Sequence, residues 1–193
     1  MREAGVVIII RNGRILGVER KEDRTKFGIP GGKREPGETP EEGAIREVLE
    51  ETGLVVKNMV HVFEREEPIR VKGGEPFFTR CWYAIEWEGE PRGSDEGEVE
   101  WLTLDEITRT RSGYPEYNAQ VFESLEKMYP EVLKDLREAM MSPWAKECTV
   151  AFQKAVNEAV AGHHAAGRMV PIWRDGRIVY IAADGSEHEK DES

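Results

Sequence analysis

The chain has 193 residues, of which 39% are hydrophobic, and it carries a formal net charge of −11 from 38 acidic and 27 basic residues. This length suits one domain of ordinary size with a small appendage. Because so acidic a protein repels polyphosphate backbones, no extended nucleic-acid surface is expected. Any phosphate that the protein handles needs bridging cations or a local basic pocket.

The sequence also argues against a membrane protein or an exported one. Its longest apolar run, at 6–10, has the length of a strand, and the N-terminus has too short an apolar stretch for a secretion signal. The two cysteines, Cys81 and Cys148, lie far apart and outside any CxxC spacing. These features favour a cytoplasmic protein with neither a disulfide framework nor a zinc site.

The first predicted elements are two strands, at 6–10 and 14–20. They flank Asn12-Gly13, the dipeptide most typical of a tight β-hairpin. A charged loop is predicted at 21–26, and a short strand at 27–32 runs into a glycine turn.

A helix with well-marked ends follows. Thr39 is suited to the N-cap, Pro40 to the first helical position, and Glu42 completes a capping box. Gly53 stands where a C-terminal left-handed residue belongs. The sequence therefore predicts a helix over 40–52.

Strand-like alternation continues at 54–66, 76–89 and 98–104, followed by a short helical piece and a helix over 116–128. The resulting order is β-β-β-α-β-β-β-α. It predicts an α/β (or α+β) fold in which a mixed sheet carries helices on its faces.

The sequence changes character after Pro143. An Ala-rich helix is predicted at 144–161, and a second hairpin at 169–183 turns at Asp175-Gly176. Apolar and polar residues alternate along this hairpin, so one of its faces must be buried against something.

The predicted organisation is a main domain at 1–142, a C-terminal helix and hairpin extension at 143–183, and a disordered acidic tail at 184–193. An isolated two-stranded hairpin is only marginally stable. The extension is therefore interpreted as a homodimerisation element or as a lid over a substrate.

The first helix carries a cluster of carboxylates. Glu47, Glu50 and Glu51 have i, i+3, i+4 spacing and so project from one face, where like charges cost about a few tenths of a kcal/mol per pair. Arg46 is the one basic residue within reach. Divalent cations would offset this charge better, and Mg²⁺ takes carboxylate oxygens. The alternative is an ordinary acidic, solvated helix surface.

Residues 32–54 fill the pattern G-x5-E-x7-R-E-U-x-E-E-x-G-U, in which U is aliphatic. The nine defined positions are Gly32, Glu38, Arg46, Glu47, Val48, Glu50, Glu51, Gly53 and Leu54. This stretch resembles the Nudix box, and residues 1–130 resemble the MutT-like branch of that family. The resemblance implies a Nudix-type mixed β-sheet sandwiched between helices, and hydrolysis of a nucleoside diphosphate linked to another group.

The resemblance also implies roles for the helix residues. Glu47, Glu50 and Glu51 would bind Mg²⁺, with Mn²⁺ able to substitute, and Glu50 or Glu51 would double as general base. The Gly31 carbonyl is a further candidate ligand. Arg46 would orient the carboxylates through charge-assisted hydrogen bonds.

Three other box residues have supporting roles in the resemblance. Gly32 lets the backbone come close to metal or phosphate, Glu38 supports the metal site from the loop, and Gly53 ends the helix. Gly43 departs from the family, which usually has Ala there, at a cost of about 1 kcal/mol of helix stability.

Family members often bring another acid from the segment before the strand that holds Trp101. Asp95, Glu96 and Glu98 are the candidates, and Glu96 is predicted to be the catalytic one. A solvated acidic loop is the alternative for all three.

Four residues are candidates for substrate binding, each with a structural alternative. Asn118 would hydrogen-bond a purine edge or serve as a helix N-cap. Phe78 would stack on a base or belong to the core. Arg20 and Lys21 would bind terminal phosphates or be solvated ends of a loop.

The expected substrate is a small nucleotide, a (d)NTP such as an oxidised purine dNTP, cleaved to the monophosphate and pyrophosphate. Sequence patterns of other Nudix subfamilies downstream of the box are not convincing, and ADP-ribose or a nucleotide sugar is the alternative. A non-catalytic regulatory module that binds a nucleotide is the alternative of another class. Such modules usually lose a box glutamate, whereas this chain keeps them all.

Overall fold

The computed structural model describes residues 2–67, 77–95, 97–174 and 177–188. The chain divides into two compact units, Met1–Met140 and Met141–Ser193. Among the described residues, none of the helices combines the length and the apolar character that a membrane crossing requires.

The first unit is built from strands and helices that alternate along the chain. Its strands are β1 (Arg2–Ile8), β2 (Ile10–Arg11), β3 (Arg14–Arg20), β4 (Asp23–Gly28), β5 (Gly31–Lys33), β6 (Val55–Glu67), β7 (Phe77–Glu88) and β8 (Val99–Leu102). Its helices are α1 (Pro40–Thr52), α2 (Pro115–Met128) and α3 (Pro130–Met140), with a short π-helical segment at Glu106–Thr110.

The strands form two sheets. The first has the order β5-β1-β7-β6, in which β1 and β7 are parallel and the other pairs antiparallel. Within it, Val6 of β1 lies opposite Gly31 on one side and Cys81 on the other. In the second sheet, β3 pairs with β2, β4 and β8.

Helices cover both faces of the first sheet. Successive side chains of a strand point to opposite faces, and in β7 Cys81 packs with Leu125 of α2 and Leu136 of α3. Its neighbour Trp82 packs with Val48 of α1. This arrangement confirms the predicted mixed sheet between helices.

The predicted first hairpin is only partly right. Asn12 and Gly13 have φ angles of 52° and 70°, as a tight hairpin turn requires, and they join β2 to β3. The strand predicted at 6–10 is nevertheless interrupted at Ile9. Strand β1 ends at Ile8 in the first sheet and β2 begins at Ile10 in the second, so the chain changes sheets at Ile9.

The charged loop predicted at 21–26 is also partly wrong, because β4 begins at Asp23. Arg20 and Asp23 face each other across a tight connection, and Asp23 accepts hydrogen bonds from the backbone and the hydroxyl of Thr25. The first three residues of β4 are exposed. Because the exposed end of a strand does not need alternating apolar and polar residues, the sequence of β4 shows no alternation that would predict a strand.

Helix α3 was not predicted. Pro130 was interpreted as the residue after a helix, but it begins α3, where proline is tolerated because the first N–H has no intrahelical partner. Leu133 and Leu136 are buried in the core of the first unit.

The second unit contains α4 (Pro143–Ala165) and a sheet of β9 (Val170–Arg174), β10 (Arg177–Ile181) and β11 (Glu187–His188). Arg174 pairs with Arg177, while the predicted turn residues Asp175-Gly176 lie outside the described residues. Strand β11 falls within the tail predicted to be disordered, of which 189–193 are not described.

Replacing Leu136 by Ala tests whether α3 is integral to the first unit. We expect the free energy of unfolding to fall by about 3 kcal/mol, because a buried Leu loses its contacts and leaves a cavity. Met140→Ala is the control on the same helix, since Met140 is 44% exposed. Equal denaturant midpoints for the two variants would show that α3 does not pack in the core.

Candidate active site

Local interactions fix both ends of α1. Thr39 Oγ1 accepts a hydrogen bond from the Glu42 backbone N–H (3.2 Å), and the Glu42 carboxylate accepts one from the Thr39 N–H (2.8 Å). At the other end Gly53 has φ 73° and donates to the Leu49 carbonyl. The predicted capping box, left-handed glycine and helix limits are therefore confirmed.

Helix α1 presents its acidic face beside β5. Ala44 and Val48 are buried in the core cluster that includes Trp82. The Glu47 carboxylate lies against the Gly32 backbone, so close that a β-carbon at position 32 would stand 2.4 Å from its Oε2. Gly32 is thus required here for close approach.

Arg46 is the centre of the cluster. Its Nε and Nη2 donate to the two carboxylate oxygens of Glu38 at 2.8 and 3.2 Å. Nη1 donates to Glu47 (3.1 Å) and to Glu50 (3.0 Å), and Nη2 also donates to the Lys33 carbonyl (3.0 Å). Three carboxylates from a loop and a helix are therefore gathered around one guanidinium.

These contacts hold Arg46 and Glu38 in their charged forms. The hydrogen bond to Glu38 raises the pKa of Arg46 above its usual value, and the pairing with Glu47 adds a smaller rise. The hydrogen bond from Arg46, together with one from the Glu35 N–H (2.7 Å), lowers the pKa of Glu38.

Glu51 is positioned by a different group. Its Oε2 accepts a hydrogen bond of 2.8 Å from the Gly31 backbone N–H. Gly31 has φ 135°, and a β-carbon there would lie 2.1 Å from the Gly5 carbonyl oxygen. The sequence predicts that the Gly31 carbonyl and Glu51 bind the same ion. In the structure, the contact between the two residues is made by the Gly31 N–H. The ligand role of the Gly31 carbonyl stays a prediction.

Within the described part of the chain, no group of three or more His, Cys, Asp or Glu side chains is arranged to hold a metal ion. The hydrogen bonds explain why, because Arg46 takes oxygens of Glu47 and Glu50 while Glu51 turns to Gly31. The donors themselves are carboxylates, which suit a hard divalent cation. Their role as metal ligands stays a prediction.

A small cavity of about 70 Å³ is lined by Val18, Glu19, Arg20, Lys21, Glu22 and Glu51. It brings the two predicted phosphate-binding residues next to a box glutamate. A larger open cleft of about 330 Å³ is lined by Glu3, Thr39, Pro40, Glu41, Arg80 and Trp82. Because that cleft contains none of the nine box positions, we place the candidate site at the smaller cavity.

Arg20 is packed rather than a freely solvated loop end. Its guanidinium lies over the ring of Tyr114, 4.7 Å from the centroid, and its Nη2 pairs with Glu22 at 3.1 Å. Lys21 is exposed at the end of β3. Both residues stay candidates for binding phosphates.

Glu19 is a residue of this cavity that the sequence analysis missed. Its carboxylate pairs with Arg24 at 2.9 Å and accepts a hydrogen bond of 3.4 Å from the Glu98 N–H. It therefore lies between the cavity and the segment that carries the predicted additional acid. The sequence signal that points to Glu19 is that it directly precedes Arg20, a predicted phosphate-binding residue.

The choice of an additional acid stays open. Glu96 lies outside the described residues, and Asp95 and Glu98 are exposed. The Glu98 carbonyl accepts a hydrogen bond of 2.9 Å from the Glu19 N–H, so this segment is attached to β3 beside the cavity.

Asn118 is buried in the first turns of α2, with 1% of its surface exposed. The N-cap interpretation is wrong, because α2 has Tyr114 at its N-cap. The Asn118 Nδ2 donates to the Ile107 carbonyl (2.7 Å) and to Ser112 Oγ (3.1 Å). Its contact with a purine stays a prediction.

Phe78 is half-buried beneath the Arg80 guanidinium, which lies 4.9 Å from its ring centroid, and it belongs to neither core cluster. It shares a face of the first sheet with Trp82, the side on which α1 packs. Asn118 comes from α2, on the other face. The structure therefore does not bring these two predicted base-binding residues together.

A model of the NUDIX domain matches residues 1–125, which include the whole box. The chain belongs to the Nudix family. It is 32% identical to an 8-oxo-dGTP diphosphatase of Escherichia coli (strain K12) over 104 residues, and this match covers 53% of this chain and 76% of that protein. It is 45% identical over 60 residues to an ADP-ribose pyrophosphatase of Methanocaldococcus jannaschii, 29% of this chain and 36% of that protein.

The solved structures agree with the sequence relatives. The fold is similar to that of a MutT NUDIX hydrolase from Burkholderia pseudomallei, with a TM-score of 0.53 and 27% identity over 62% of this chain and 95% of that one. The predicted MutT-like Nudix protein is thus confirmed, and the chain is a Nudix pyrophosphohydrolase. Helix α4 and the second hairpin lie beyond the residues that the NUDIX domain model matches.

Replacing Gly32 by Ala tests the close approach of Glu47. The new β-carbon would displace the Glu47 carboxylate, the end of a flexible side chain, so we expect little loss of stability. We expect the rate of pyrophosphate hydrolysis to fall by about 10-fold or more. Initial rates and thermal unfolding measure the two effects. Gly162→Ala, in helix α4 with nothing within 4 Å, is the control. A Gly32→Ala enzyme with the wild-type rate would refute the interpretation.

Proposed function

We propose that this Nudix hydrolase cleaves (d)NTPs, including oxidised purine dNTPs, to the nucleoside monophosphate and pyrophosphate in a Mg²⁺-dependent reaction. The observation that carries the proposal is the clustering of Glu38, Glu47 and Glu50 around Arg46. Glu51, from the same helix as Glu47 and Glu50, lines a cavity together with the basic residues Arg20 and Lys21. Carboxylates beside basic groups suit a phosphate chain that arrives with a cation.

Glu47, Glu50 and Glu51 would hold the divalent cation, because three hard carboxylate donors suit Mg²⁺, or Mn²⁺ in its place. When bound, the ion supplies charge neutralisation at the phosphates and water activation. Arg46 fixes the orientation of Glu47 and Glu50 through hydrogen bonds of 3.1 and 3.0 Å. Arg20 and Lys21 would bind phosphate oxygens at the cavity.

Either Glu50 or Glu51 would act as general base. Glu50 has 57% of its side chain exposed, so water can reach it, and Glu51 lines the cavity itself. The base accepts a proton as water attacks a phosphorus of the pyrophosphate linkage, and the P–O bond between the two phosphates breaks. Glu96, or one of its acidic neighbours, would supply the additional acid.

Base recognition is proposed at the start of α2. The Nδ2 of Asn118 is engaged in hydrogen bonds to the Ile107 carbonyl and Ser112 Oγ. Its Oδ1 is therefore the atom that would accept a hydrogen bond from a purine edge. Arg20 and Tyr114 stack near the same turn, so phosphate and base contacts would come from neighbouring residues. Phe78 is left out of this pocket because it lies on the opposite face of the sheet.

An ADP-ribose or nucleotide-sugar pyrophosphatase is the second candidate. It is favoured by the 45% identity with an ADP-ribose pyrophosphatase, which covers 60 residues. The two candidates share the pyrophosphate chemistry and differ in the group beyond the second phosphate.

A nucleotide panel with Mg²⁺ tests the proposal. We expect the purine triphosphates, oxidised forms among them, to give the highest kcat/KM, with pyrophosphate as product. Glu50→Gln should lower kcat by about 100-fold or more, because the carboxylate is lost as ligand or base.

Glu41→Gln is the control for this measurement, since Glu41 is exposed on the same helix and outside the box pattern. It should keep the wild-type rate. Higher kcat/KM for ADP-ribose or a nucleotide sugar would replace the proposed substrate by the second candidate. Equal rates for Glu50→Gln and wild type would refute the assignment of the site.

A further inference from the structure

Arg34 lies in the loop between β5 and α1, at a position that the box pattern leaves undefined. Its Nη1 donates to the Glu38 carbonyl oxygen at 2.9 Å, and its Nε donates to Glu3 Oε2 at 2.6 Å. One guanidinium therefore joins the loop that carries Glu38 to strand β1. About one third of the Arg34 side chain is exposed, so this is a partly buried ion pair.

The anchor on β1 is itself fixed. Glu3 accepts a second charge-assisted hydrogen bond, from Arg80 Nη1 on β7 at 2.6 Å. Arg80 also pairs with Glu64 of β6 at 3.1 Å. The hydrogen bonds from Arg80 and then Arg34 lower the pKa of Glu3. Arg34 thus binds a carboxylate that stays charged and that three strands of the first sheet hold in place.

Glu38 is tethered at both ends. Arg34 holds its backbone carbonyl, and Arg46 binds both of its carboxylate oxygens. Without the backbone tether the loop could withdraw and take the carboxylate from Arg46. The freed donors of Arg46 would then pair more closely with Glu47 and Glu50 and would compete with a cation for their oxygens.

Gly43 supplies an independent sign that the loop is seated on α1. A β-carbon at position 43 would lie 2.9 Å from both Cα and Cβ of Arg34 and 3.2 Å from Glu38 Oε2. The absent side chain lets the loop approach the helix at this point.

We propose that Arg34 is a positioning residue for the hydrolytic site: it holds the loop against α1 so that Glu38 meets Arg46. This inference rests on the proposed function, because it assigns a role within the same site. Arg34 does not touch the substrate. It acts through Glu38 and Arg46 on the availability of Glu47 and Glu50.

The test is Arg34→Lys in the full chain, because a single ammonium group cannot reproduce the forked contacts to Glu3 and Glu38. We expect kcat to fall about 10-fold, as for other groups that orient metal ligands. KM should change by less than about 2-fold, since no contact with the substrate is lost. Arg137→Lys is the matched control, since the forked pair of Arg137 on α3 with Glu126 on α2 is exposed and should tolerate the change.

Mn²⁺ binding, followed by electron paramagnetic resonance, is a readout that needs no turnover. The dissociation constant of Mn²⁺ should rise about 10-fold in Arg34→Lys. Glu3→Gln should shift kcat and Mn²⁺ binding in the same direction. Combining it with Arg34→Lys should lower kcat less than the two single effects predict, because both act through one contact.

The outcomes separate this proposal from the proposed function. Wild-type protein that hydrolyses no nucleotide would refute the function, while Mn²⁺ binding would still decide the role of Arg34. Unchanged kcat and Mn²⁺ affinity in Arg34→Lys would overturn the positioning role. A rise in KM alone would also overturn it, because it would make Arg34 a substrate-binding residue.

Discussion

The candidate site depends on one interaction, the pairing of Arg46 with carboxylates from two parts of the chain. Glu38 comes from a loop, and Glu47 and Glu50 come from the helix that carries Arg46 itself. Without the guanidinium, the like charges on one helix face would repel one another. The Arg46 guanidinium that stabilises this face also occupies oxygens that a divalent ion would use. Under the proposed function, Arg46 therefore has to orient these groups while leaving their oxygens available to a cation.

The rest of the structure brings this cluster together by close approach. Because Gly32 has no side chain, the Glu47 carboxylate can lie against β5, and because Gly43 has none, the loop can lie against α1. The Gly31 N–H donates a hydrogen bond to Glu51. A side chain at position 32 would displace the Glu47 carboxylate, one at 31 would press on β1, and one at 43 would press on the loop at Arg34. Beyond them, the first sheet provides a rigid base, because β1 pairs with both β5 and β7.

Local signals account for what the sequence predicted well. The limits of α1 follow from a capping box and a left-handed glycine, which involve residues within a turn of each end. The box spacing likewise identified the residues around Arg46. The change of sheets at Ile9, the role of Glu19 beside the cavity and the contact of Arg34 with Glu3 all depend on strands paired across long sequence separations. Helix α3 was missed for a different reason, since Pro130 is equally compatible with the end of one helix and the start of the next.

The most direct test of the central claim is the position of a divalent cation in crystals of the protein grown with Mn²⁺. An anomalous difference map should place the ion on carboxylate oxygens of Glu47, Glu50 and Glu51, with Arg46 still bound to Glu38. Such a map would show that the acidic face of α1 is a metal site that Arg46 arranges. A strong peak elsewhere, with Arg46 still covering Glu47 and Glu50, would contradict the account.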